Sequence, residues 1–217
     1  MNEDEYDSNG VSLDGKTFVI YQGEYLATEF SVPQGVTAIA PEAFYDCNSL
    51  TTVILPEGLT SIGERAFWGC SSLTSIVLPK SVTSLGEIPF SGCNALTSFE
   101  VAEESDAFCS IDGVLFTKDK KTLIRYPEGK REKEYAVPDG VTAIGDEAFR
   151  GSQLNSLILP DSVTAIGVGA FLGSSLTSLV LPSGVAALSG YALTNCSSLT
   201  SVVLPNGLTS IGKLAFW

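Results

Sequence analysis

Seven prolines set the register of this chain. Pro33, Pro56, Pro79, Pro138, Pro160, Pro182 and Pro205 are followed eleven residues later by Phe44, Phe67, Phe90, Phe149, Phe171, Leu193 and Phe216. The spacings of 23, 23, 59, 22, 22 and 23 residues lie in the range of stacked repeats. In such an array no unit can bury its apolar face alone, so each must lie against a neighbour. The 59-residue interval holds an insertion. Length in such a chain counts coils rather than cores, and the 217 residues are read as a single domain, 1–217.

Each repeat carries its own punctuation. A run such as Leu73 to Leu78 has apolar and β-branched residues over about six positions, enough for one short strand. The proline ends it, and Gly or Ser two residues later turns the chain. A second apolar pair, such as Leu59 with Ile62 or Val163 with Ile166, reads as a shorter strand. Gly63, Gly86, Gly145, Gly167 and Gly212 then lead into a piece ending in Ala-Phe, predicted as a single helical or 3₁₀ turn.

Two segments stand outside the period. Residues 8–32 hold the run from Gly10 to Tyr21, two alternating stretches around Asp14-Gly15, the dipeptide suited to a type I′ hairpin. Residues 102–137 hold a similar run from Gly113 to Tyr126, with a turn expected to be two residues longer. Tyr21 and Tyr126 both stand twelve residues before a register proline. The chain is thus partitioned into an N-terminal capping hairpin (8–32), a first repeat run (33–101), an inserted hairpin (102–137) and a second run (138–217) whose last repeat is incomplete.

The pattern LTSIxLPxGVTSIGxxAFxGCSS resembles the BspA-type leucine-rich repeat family, over nearly the whole chain from about Gly10 and including the inserted hairpin. Departures are Pro89 before Phe90, Leu193 in the ring column and Ala40 in a glycine slot. The resemblance implies a mainly β leucine-rich repeat solenoid with short helical or 3₁₀ turns, a parallel sheet on the concave face and two hairpin modules. It also implies a bacterial surface or secreted protein that acts in adhesion or host binding. The expected location is therefore secreted or cell surface, with any signal peptide outside this sequence, whose start MNEDEYDSNG is polar and acidic.

Composition excludes several functions. The net charge is -13, and seven of the twelve Lys and Arg lie between Lys118 and Lys133, so the repeats offer no basic face for nucleic acid. No apolar run approaches the ~20 residues of a membrane span. The chain has no histidine, which removes the commonest general base and metal ligand, and no catalytic motif is present. We read it as no enzyme, with no cofactor and no metal site. The segment from Glu5 to Gly10 brushes a calcium-loop pattern, but the twelfth position, which needs a bidentate Glu, is Lys16. Glu103, Glu104 and Asp106 read as a solvated loop rather than a cation site, and Asn195-Cys-Ser197 is one glycosylation triplet in a Ser-rich chain. Cys47, Cys70, Cys93 and Cys196 each fall fourteen residues after a register proline, and Cys109 lies in the insertion. They read as a buried thiol column. Coil spacing would allow a bridge, but parallel side-chain directions argue against one.

The remaining feature is a surface. In each longer strand the leucine slots point inward and the positions between them outward, because side chains alternate with period two. One outward column is Thr52, Ser75, Ser98, Ser156, Ser178 and Ser201; the other is Ile54, Val77, Glu100, Ile158, Val180 and Val203. Small hydroxyls beside β-branched apolar groups make a low-charge face, the kind of stripe that marks a contact surface; strand propensity alone also accounts for it. The expectation is a protein or glycan ligand on the concave sheet or around the inserted hairpin. The alternative is a structural spacer or self-associating surface-layer element.

Overall fold

The computed structural model describes residues 6–22 and 27–217. The chain is mainly β, with parallel strands stacked coil on coil, and divides into two compact units, Met1–Ser110 and Ile111–Trp217. The division falls inside the segment 102–137.

In the first unit, β1 (Thr17–Phe18), β2 (Glu29–Ser31), β3 (Ala38–Ile39), β4 (Thr52–Ile54), β5 (Ser61–Ile62), β6 (Ser75–Leu78), β7 (Ser84–Leu85) and β8 (Ser98–Val101) alternate between two ladders. The short strands form one parallel sheet in the order β1-β3-β5-β7. The longer ones pair as β2 with β4 and β6 with β8, both parallel. β9 (Phe108–Ile111) carries the chain into the second unit. There β10 (Val114–Thr117) and β11 (Thr122–Arg125) form an antiparallel hairpin. The coils continue through β12 (Glu134–Ala136), β13 (Ala143–Ile144), β14 (Ser156–Ile158), β15 (Ala165–Ile166), β16 (Ser178–Val180), β17 (Ala187–Leu188), β18 (Ser201–Val203) and β19 (Ser210–Ile211). The short strands again stack in parallel, β11 with β13 and β13 with β15.

Rings line the core of both units. Phe44 lies over Phe67 at 4.8 Å and 8°, and Phe67 over Phe90 at 5.5 Å. In the second unit Phe149 lies over Phe171 at 5.8 Å. Tyr21 and Tyr126 begin the two columns, stacking on Phe44 and Phe149 at 5.6 and 5.5 Å. Each buried ring contributes about 1.5–3 kcal/mol by burial, and offset-stacked neighbours add about 0.5–1.5 kcal/mol. Phe216, in the last coil, is 49% exposed, unlike the buried rings before it.

The Ala-Phe pieces are not helical; no helix occurs among the described residues. In residues 42–46 alternate N–H groups leave the local turn for the next coil. Glu42, Phe44 and Asp46 donate to the carbonyls of Glu64, Ala66 and Trp68 at 2.7–2.9 Å. Glu42 and Asp46 are left-handed, with φ of 59° and 54°. The same slots are left-handed at Arg65 and Gly69, Glu147 and Gly151, and Tyr191 and Asn195. A left-handed residue every fourth position stops a right-handed helix, and the freed N–H groups join coil to coil. Pro89 lacks the local bond that Ala43 and Ala66 make, yet its carbonyl still accepts from Phe67 at 2.8 Å, so Phe90 keeps its place.

The hairpins differ from expectation in an instructive way. Asp14 is not left-handed; Gly15 is, with φ of 71°. The turn closes through Gly15 N–H to the Ser12 carbonyl at 2.8 Å, and Asp14 Oδ1 accepts from Ser12 Oγ and Lys16 N. An Asx-braced turn with a left-handed fourth residue replaces type I′. The second hairpin repeats the same bonds: Lys120 N–H to the Thr117 carbonyl, and Asp119 Oδ1 accepting from Thr117 Oγ1 and Lys121 N. The two turns are therefore equal in length, and the two extra residues of the insertion lengthen the strand before it.

Candidate binding face

The outward columns are in register within each pair of longer strands. Parallel pairing puts Ser31 beside Ile54 and Val77 beside Glu100 in the first unit, and Ala136 beside Ile158 and Val180 beside Val203 in the second. Inward neighbours Val53, Ile76, Leu157 and Leu179 are buried, which forces the alternate residues out. Ile54, Val77, Ile158, Val180 and Val203 are 52–64% exposed, large values for β-branched side chains on strands. Of the hydroxyl column, Thr52, Ser75, Ser98 and Ser156 are half-buried, Ser178 and Ser201 exposed. Glu100 is exposed.

The columns also contain residues that the repeat consensus passed over. Glu29 pairs with Thr52 and Glu134 with Ser156, so an acidic residue heads the hydroxyl column in each unit. The signal was available, since both stand four residues before a register proline. In the second unit the face dips into an open groove of about 510 Å³ between Ser156, Ile158, Ser178 and Val180, with Asp161 and Ser183 at its rim.

Beside the strands run threonine ladders that sequence reasoning also missed. Thr51 Oγ1 donates to the Thr28 carbonyl at 3.0 Å, Thr74 to Thr51 and Thr97 to Thr74 at 3.2 Å. In the second unit Thr177 donates to Asn155 and Thr200 to Thr177, at 3.1 and 3.0 Å. These hydroxyls are spent on holding coils together, which leaves the serine column as the free polar edge of the face.

Around the inserted hairpin the cations are largely engaged. Arg125 is buried, paired with buried Glu128 and donating to the Glu147 carbonyl. Lys130 Nζ reaches the Asp112 carbonyl at 2.8 Å and Glu132 at 3.1 Å. Lys121 and Lys133 donate to the Gly140 and Gln153 carbonyls. Arg125, at the end of β11, and Glu128 thus form a buried ion pair that no local pattern announced.

Other singled-out residues lie apart. Glu103, Glu104 and Asp106 are exposed. Asn195 is exposed and left-handed. Of the calcium-like segment, Glu5 lies outside the described residues. Asp7 braces a turn by accepting from the Val11 and Asn9 N–H groups, and the first of these does most to hold its carboxyl below the usual range. Among the described residues, no three His, Cys, Asp or Glu could share a metal ion, and no helix is long and apolar enough to cross a membrane.

Parallel coils of 22 or 23 residues, two strand ladders and an interior of leucines and stacked rings define a leucine-rich repeat protein. The pattern described as BspA type leucine rich repeat region matches residues 19–132 and 128–217, in six copies, and the chain belongs to that family. The structure is similar to the pneumococcal vaccine antigen PcpA, with a TM-score of 0.80 and 29% identity over 85% of this chain and 46% of that one. It is also similar to a leucine rich cell surface protein from Faecalibacterium prausnitzii, with a TM-score of 0.66 and 31% identity over 81% and 59% of the two chains. A leucine-rich repeat protein from Eubacterium ventriosum, 20% identical with a TM-score of 0.58, shares the fold. The chain spans about half the length of the first two. No curated protein matches it. Two of these structural neighbours are described as leucine-rich proteins, and one of the two as a cell surface protein.

Proposed function

We propose that the chain is a non-enzymatic binding module displayed at a bacterial surface, and that it holds a protein ligand on its strand face. The observation that carries this reading is the exposed pair Val180 and Val203, in register beside the Ser178 and Ser201 hydroxyls, with exposed Ile158 on the neighbouring strand β14. Desolvating exposed β-branched groups favours a partner with apolar side chains of its own. Neither column of the face carries an aromatic ring on which a sugar could stack, which favours protein over glycan. Surface display draws support from the family and from neighbours described as a vaccine antigen and a cell surface protein. The absence of histidine and the typically non-catalytic solenoid scaffold support a binding role.

The test is a binding screen against immobilised host extracellular proteins and a glycan array, followed by charge substitution on any ligand found. Val180→Asp with Val203→Asp is expected to weaken the bound protein at least ~tenfold, the scale of one lost hot spot, with circular dichroism unchanged. Unchanged affinity, or a screen in which only glycans bind, overturns the strand-face protein site.

A further inference from the structure

The cysteine column of the first unit offers chemistry that a core of small hydrophobes does not need. Cys47, Cys70 and Cys93 occupy one slot on three successive coils. Two of the thiols lean back toward the coil before them, Cys70 Sγ donating to the Phe44 carbonyl at 3.1 Å and Cys93 Sγ to the Phe67 carbonyl at 3.2 Å, whereas Cys47 Sγ donates within its own coil to the Tyr45 carbonyl at 3.9 Å. The Phe44 carbonyl also takes the Cys47 N–H at 3.2 Å, so one oxygen draws Cys70 sulfur and Cys47 backbone together. The same slot in the second unit gives the spacing, with Ser174 Oγ 3.5 Å from Cys196 Sγ. Neighbouring parallel coils stand about 4.8 Å apart, inside the roughly 4.4–6.8 Å Cα window of a disulfide. The leaning thiol thus undoes the objection that parallel side chains cannot meet.

Exposure sets an order of events. Cys70 and Cys93 are fully buried, whereas Cys47 is partly open to solvent. We propose that Cys47 and Cys70 form a thiol–disulfide pair between the first two coils, oxidised by a small disulfide of the glutathione type. The Cys47 thiolate attacks one sulfur of the small disulfide, forming a mixed disulfide and expelling one small thiolate. The Cys70 thiol gives up its proton to solvent, attacks the Cys47 sulfur and expels the second. One small disulfide is reduced to two thiols, and two protein thiols are oxidised to one bridge, so atoms and electrons balance. The Cys70 side chain beside it lowers the Cys47 thiol from its ordinary value, and the same neighbourhood, with burial, raises that of Cys70, which suits the first to attack and the second to wait. Cys93, one coil further in, is itself fully buried and does not start the exchange.

The experiment is a non-reducing peptide map of the full chain after exposure to oxidised glutathione at mildly alkaline pH, quenched by acid and alkylation. Cleavage after Lys16, Arg65, Lys80 and Lys118 puts Cys47, Cys70 and Cys93 in three separate peptides. The expected product is peptide 17–65 joined to peptide 66–80, with the mass of two hydrogens lost, formed at least ~tenfold faster than any adduct on Cys109 or Cys196. In the Cys70→Ser protein one glutathione should stay on Cys47, and in Cys47→Ser the joined product should vanish while Cys93→Ser keeps it. Bridging of Cys93 instead, first reaction at Cys109 or Cys196, or a wild-type map in which Cys47 and Cys70 remain separate overturns the proposal. The wild-type map decides this whether or not each variant folds.

Discussion

At the scale of single residues, the glycines before each Ala-Phe piece owe their identity to contact rather than to a turn. A Cβ on Gly86 would sit 2.3 Å from the Glu64 backbone nitrogen, and one on Gly63 2.4 Å from that of Pro41. Neither has a left-handed φ, so the requirement is the approach of one coil's backbone to the next. Ser189 also holds this slot, with its hydroxyl donating to the Ile166 carbonyl, and Ala40 holds it where the neighbouring element is the hairpin. Gly86→Ala is therefore expected to cost about 1–3 kcal/mol, because backbone cannot give way as a side chain would. Gly58 has open space around its Cβ position and an ordinary φ; Gly58→Ala should be neutral or add up to about 1 kcal/mol by restricting the unfolded chain. Urea unfolding of the two variants checks the contrast, and equal effects would show that coil approach is not what selects glycine.

At the scale of elements, each hairpin acts as the first rung of a ring column, and the tyrosines mark where they join. Tyr126 packs on Tyr135 at 5.1 Å and on Phe149 at 5.5 Å, and both phenol oxygens are buried without a protein partner. Burial, followed by the nearby Asp112 carboxylate, pushes the Tyr135 phenol up to about 12 from 10.0. The Tyr126 phenol moves the same way, by burial first and then by Glu132. A phenol whose proton is held more tightly when folded contributes stability below pH 10, and that contribution drains away as pH climbs through about 12. The Tyr126→Phe, Tyr135→Phe double variant should thus lose less stability than the native chain across this alkaline window. At neutral pH it should match or exceed the native chain by up to about 1 kcal/mol, since two unpaired hydroxyls leave the core. Denaturant midpoints at neutral and alkaline pH decide it; a marked loss at neutral pH would mean the hydroxyls are satisfied.

At the scale of the whole molecule, charge is unevenly shared. Met1–Ser110 carries sixteen Asp and Glu against three Lys and Arg, and Ile111–Trp217 nine against nine. The first unit therefore bears all the net charge and repels itself. Salt that shortens the screening length below ~10 Å should protect amides of the first unit from hydrogen exchange more than those of the second, and uniform protection would refute this. Much of this architecture was legible in the amino-acid order, because repetition multiplies every weak signal: one proline or one ring says little, seven in register say that coils stack. The outward columns followed from period two in the same way. What stayed hidden depends on contacts between coils. Whether Ala-Phe made a helix was settled by N–H groups that the next coil captures. The Asp14 and Asp119 turns were shaped by carboxylates bonding backwards, and the Arg125–Glu128 pair needed the hairpin to fold over it. The chain alone determined period, core residues and the face they leave outward, since these follow from hydrophobic spacing. Only the tertiary structure decided where glycine is compulsory and which thiols touch, since those turn on the few ångströms separating adjacent coils.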